Sequence, residues 1–237
     1  MEKEKKKIIT QEDVLTLLGK LYEKSVDGIP KVSKPIAQLA AEYLEKADSV
    51  QKAAQSFNKY QIAKCTTSGF LTSFGGVLML PVMIPANVSS VLYVQMRMIA
   101  CLAHMGGYDV NSDQVQTLVY ACLAGVSVDQ IVKRVAIEVG EKFGEALVDK
   151  IPGKVLTAIN QKVGFRFLTK WGEKGLINIG KLLPVIGGVI GGGLDFAETR
   201  VIAKRAYKMF IEGDFTAAGK DDAEIEAIDA EFEEIDT

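Results

Sequence analysis

Histidine is nearly absent from this chain: His104 is the only one in 237 residues. A single histidine excludes any two-histidine metal site and any zinc cluster of ordinary Cys/His composition. It also leaves a serine or cysteine nucleophile only one base to use, and no GxSxG nucleophile elbow occurs. Beside Met105 on an apolar stretch, His104 reads as a core histidine. Cysteine is scarce too. Cys65, Cys101 and Cys122 are far apart, form no CxxC pair and sit among apolar neighbours. That pattern argues against a disulfide scaffold and suits small buried side chains in a reducing compartment.

Strand signals are equally thin, because runs of alternating Val, Ile, Thr and aromatics are missing. Nucleotide signatures are absent as well. The glycine run Gly187 to Gly193 satisfies neither GxGxxG nor GxxxxGK[ST], and no strand precedes it. It is read as a site of close helix packing. Asp195 and Glu198, three apart on one helical face, lack the Glu-x-x-His motif of a helix-borne metal site and read as ion-pair partners. No basic motif interleaved with aromatics points to nucleic acid. The N-terminus MEKEKKKIITQ has lysines with no apolar stretch behind them and is read as carrying no secretory signal.

What is present is helical. Ala, Leu, Glu, Lys and Gln recur at helical spacing. Thr10 with Asp13 predicts a helix N-cap ahead of the stripe Val14, Leu17, Leu18 and Leu21, and Gly28-Ile29-Pro30 ends that helix. A second helix is expected from Ser33–Pro35 to about Lys64. Met105-Gly106-Gly107 marks a C-terminal cap, and Asn111 or Ser112 the next N-cap. Ser127 to Gln130 has capping-box spacing, opening a helix to about Asp149. A last long helix runs through Phe210 and stops at Gly213.

From Cys65 to Met96 there are 32 residues without a charge. Pro81 and Pro85 divide this run, and neither piece reaches the roughly 20 apolar residues that a bilayer span needs. A buried helical hairpin is the favoured reading, and a re-entrant or interfacial element its rival. A second Gly/Pro-rich element, Leu182 to Gly193, echoes the first at a shift of 103 residues. Leu80-Pro81-Val82 falls on Leu183-Pro184-Val185, and Arg97 falls on Arg200, with seven identities over 24 positions. The two elements are expected to pack side by side, with related arginines that would want carboxylate partners if buried.

The segments TTSGFLTSFGGVLMLPVMIPANVSSVL, RMIACLAHMGGYDV and LLPVIGGVIGGGLDFAETRVIAKRAYKMF resemble the EcsC family of bacterial proteins over roughly residues 60 to 212. That family takes its name from a protein of an ABC-transporter operon and has no defined molecular activity. The resemblance implies a helical fold and a link to membrane processes, and it supplies no catalytic residues.

Charge is uneven along the chain. Residues 221 to 237 hold nine acidic and no basic side chains, so the remaining 220 residues carry a net +7. The tail either solubilises the protein or covers a basic surface meant for an anionic partner. The fold class expected is all-α: a single multi-helix domain over residues 1–220 with two Gly/Pro-rich hairpins at its centre, then the acidic tail, 221–237. The function expected is non-enzymatic, with no cofactor, at a membrane surface or with a membrane-associated partner, in the cytoplasm or peripheral to the membrane. A membrane-inserting, toxin-like effector and a soluble partner-binding adaptor are the alternatives. Candidate membrane or partner contacts are Phe70, Phe74, Leu78, Pro81, Pro85, Pro184, Ile186 and Ile190. Candidate headgroup or ion-pair residues are Arg97, Arg200, Lys204, Arg205 and Lys208.

Overall fold

The structure, a computed structural model, describes residues 10–65, 86–139, 145–171 and 189–215. Its helices are α1 (Gln11–Asp27), α2 (Ile36–Leu44), α3 (Val50–Cys65), α4 (Ala86–Met105), α5 (Asp113–Ala124), α6 (Asp129–Val139), α7 (Glu145–Val148), α8 (Gly153–Trp171) and α9 (Val189–Phe210). The fold is all-α, and among the described residues only an isolated bridge between Ile29 and Ser33 has β character.

Helix α4 is the centre of the molecule. It packs against α1, α2, α3, α5 and α9. Every residue from Leu92 to Ala103 is buried, so α4 has no solvent face where its neighbours surround it. Each buried Leu, Ile or Met there contributes roughly 1.5–3 kcal/mol relative to exposure. Helix α1 lays its stripe of Val14, Leu17, Leu18, Leu21 and Tyr22 into the same core. The Tyr22 hydroxyl donates to the Val110 carbonyl at 2.8 Å, and its ring meets Tyr120 edge-on at 5.7 Å, tying α1 to α5.

Helices α4 and α9 lie side by side and run in the same direction. Gln95 Nε2 donates to Thr199 Oγ1 at 3.1 Å, and eleven residues further on Gly106 lies against the Phe210 carbonyl. Both pairs are 104 positions apart, which only parallel helices allow. Glycine is required at 106 because a side chain would overlap that backbone carbonyl.

The echo in the sequence has a structural counterpart. Helices α3 and α8 begin at Val50 and Gly153, and α4 and α9 at Ala86 and Val189, each pair 103 positions apart. Helices α1 and α5 match in how they begin and end. The side chains of Thr10 and Ser112 each accept from the backbone N–H of the third helical residue, Asp13 and Val115. Gly28 and Gly125 follow the last turns with φ of +78° and +65°.

One expected boundary is corrected. The single helix from Pro35 to about Lys64 is two, α2 and α3, separated at residues 45–49. The Ser49 hydroxyl accepts from the Lys52 backbone N–H at 3.3 Å, and Asp48 pairs with Lys52 at 2.7 Å. These short polar side chains start a new helix instead of continuing the old one. The expected helix to Asp149 is described as α6 and α7. The first limbs of the two expected hairpins, and the acidic tail, lie outside the described residues.

Candidate functional site

Arg97 sits on the buried helix α4 with 9% of its surface exposed. Its guanidinium donates to the Ser25 carbonyl at 2.9 Å and to the Lys34 carbonyl. Ser25 lies in the last turn of α1, where carbonyls have no partner inside their own helix and carry the negative end of its dipole. The expectation of a carboxylate partner is corrected here. The C-terminus of α1 supplies one acceptor and the negative partial charge that a buried guanidinium needs, and the segment before α2 supplies the second acceptor.

Arg205 does the same in the second half. It is 5% exposed and donates to the Cys122 carbonyl, third from the end of α5, as Ser25 is third from the end of α1. Arg97 thus finds its structural equivalent in Arg205, although the sequence echo aligned it with Arg200.

The other candidate cations lie elsewhere. Arg200, Lys204 and Lys208, four apart, follow the outer side of α9, with Lys204 exposed and the other two half-buried. Helix α3 packs alongside in the opposite direction: Gln55 reaches the Tyr207 hydroxyl at 3.3 Å, and Asn58 the Ala203 carbonyl at 3.2 Å. Its outer side carries exposed Lys52 and Lys59. No acidic residue occurs in α3 or in α9 after Glu198.

Phe70, Phe74, Leu78, Pro81, Pro85, Pro184 and Ile186 lie outside the described residues. Ile190 belongs to the first turn of α9, which fixes its place in the chain and nothing about its side chain. Cys101 and Cys122 are buried and form no disulfide. Burial pushes the Cys101 thiol up to about 12, with Arg97 opposing weakly, so no thiolate forms there near neutrality. Among the described residues, no group of three His, Cys, Asp or Glu side chains could hold a metal ion. His104 is half-buried at the end of α4, facing a cavity of about 440 Å³ also lined by Asp27 and Asp109.

A cavity of about 500 Å³ lies between α2, α3, α4 and the segment before α2. Arg97, Lys34, Lys46 and Gln61 line it with Tyr43, Tyr60 and Tyr93. At its rim Lys34 Nζ pairs with Glu42, and that hydrogen bond holds the Glu42 carboxyl below its usual range. Ser33 and Tyr93 share a hydroxyl–hydroxyl hydrogen bond of 2.6 Å in its wall. Lys46, Gln61 and the tyrosines were not singled out from sequence, where they stand on separate helices with no motif to join them.

The model of the EcsC protein family matches residues 3–211. The chain belongs to the EcsC family. No curated protein and no solved structure matches it. The match covers both halves of this EcsC protein, including both helix-capping arginines and the α3–α9 face. Among the described residues, no helix is long and apolar enough to cross a membrane.

Proposed function

We propose that this EcsC protein is a non-enzymatic helical protein that acts at an anionic membrane surface, or with a partner held there, through the outer face of α3 and α9. The observation that carries this reading is the predominantly basic charge of that face: Lys59, Arg200, Lys204 and Lys208 share it with no carboxylate from either helix beyond Glu198, and Lys52 at its edge is paired with Asp48. Lysine and arginine near an anionic leaflet each contribute about 1 kcal/mol to binding, so a cluster of this size suffices for reversible surface attachment. The net +7 of residues 1–220 adds long-range attraction, and the acidic tail opposes it.

Co-flotation of the full chain with vesicles rich in phosphatidylserine tests the proposal. The expected result is binding that weakens as salt rises and strengthens in a chain ending at residue 220. If neither chain floats with anionic vesicles at low salt, the reading is wrong.

A further inference from the structure

We infer that the cavity between α2, α3 and α4 binds a phosphate group carrying an apolar substituent. Its volume of about 500 Å³ is far larger than a lone anion needs and falls in the range of small-molecule sites. Three cationic side chains, Arg97, Lys34 and Lys46, line it against one carboxylate, Glu42. The walls therefore carry an excess of two positive charges, which a phosphate dianion neutralises and a single carboxylate would not.

Two buried groups in that wall have donors to spare. Gln61 is 8% exposed, yet its amide makes no hydrogen bond among the described residues. An amide on that wall can donate to a ligand oxygen in place of cavity water, at the strength of an ordinary hydrogen bond. Arg97 uses two of its five N–H groups on the Ser25 and Lys34 carbonyls. Those bonds hold the guanidinium rigidly at the cavity wall. Val32, Leu39, Val94 and the faces of Tyr43 and Tyr60 supply the apolar part. A bare phosphate would leave that part in contact with water. The shared chemistry is found both in a phospholipid of the phosphatidic acid type and in a soluble phosphate monoester.

Isothermal titration of the full chain separates these. The probes are hexyl phosphate, monomeric dihexanoyl phosphatidic acid and inorganic phosphate. Either organic phosphate is expected to bind at least about tenfold more tightly than inorganic phosphate, since the buried alkyl carbons add apolar contact. Whichever of the two binds more tightly identifies the source. Gln61→Leu, which keeps the volume, and Lys46→Gln are each expected to weaken that binding about tenfold, with melting temperatures near that of the parent. Lys204→Glu, on the α3–α9 face, is expected to leave it unchanged. This inference stands apart from the membrane reading, because the titration uses no bilayer and the flotation face contributes no residue to the cavity. Absence of binding by both organic phosphates would overturn it. So would equal binding of inorganic phosphate, or undiminished binding by folded Gln61→Leu and Lys46→Gln.

Discussion

The two halves of the molecule use one structural device and surround it differently. In the first, Arg97 of α4 reaches the last turn of α1; in the second, Arg205 of α9 reaches the last turn of α5. Both first helices start on a hydroxyl cap and stop at a glycine of positive φ. Around Arg97, α2 folds across α4 and leaves a cavity that the guanidinium lines, whereas Arg205 is 5% exposed. The shared arginine is therefore part of the architecture, a buried cation that completes a helix end. The cavity beside Arg97, walled by α2, is where the proposed ligand site belongs.

The comparison can be broken at several levels. The largest effect is expected at the arginines themselves. Arg97→Met strands the Ser25 and Lys34 carbonyls and should cost about 4 kcal/mol, and Arg205→Met somewhat less because the Cys122 carbonyl keeps the Gly125 N–H, read as shifts in the urea midpoint. A large loss at one and none at the other would dissolve the equivalence. The glycines come next and should differ. Gly28→Ala brings both left-handed strain and overlap with the Ser33 carbonyl, about 3 kcal/mol in all. Gly125→Ala brings at least the left-handed strain, about 1 kcal/mol. Equal losses would mean that the turn into α2 is no tighter than the turn after α5. The smallest effects belong to the N-caps. Thr10→Ala and Ser112→Ala should each lower thermal stability by about 1 kcal/mol, since each hydroxyl accepts from the third helical N–H and donates to one further oxygen, on Asp13 and Asp109.

Much of this was legible in the residues. The cap at Thr10, the stripe behind it, the stop at Met105-Gly106-Gly107, the cap at Ser112 and the end of α9 at Phe210 all follow from local chemistry, and local chemistry is what sequence displays. The break between α2 and α3 was missed because Asp48 and Ser49 lie in a stretch whose apolar spacing stays helical. The echo of Arg97 with Arg200 pointed to two related elements, and α4 and α9 do pack together. Yet the buried partner turned out to be Arg205, since helix rotation decides which of two arginines five positions apart faces inward. The cavity was invisible for a different reason. Gln61, Lys46 and Arg97 belong to different elements, and nothing about any one of them announces the other two. The candidate residues from Phe70 to Pro85 and at Pro184 and Ile186 lie outside the described residues.

The membrane reading rests on one face, so the sharpest measurement alters that face alone. The full chain and a variant with Lys52, Lys59, Lys204 and Lys208 changed to Glu are floated with phosphatidylserine-containing vesicles at physiological salt. A control changes Lys20, Lys150, Lys154 and Lys162 to Glu, giving the same net charge from exposed positions elsewhere. The prediction is a loss of vesicle affinity of at least about a hundredfold for the first variant, at about 1 kcal/mol per lysine, and a much smaller loss for the control. Equal losses in both, or binding that survives reversal of the α3–α9 face, would contradict the account.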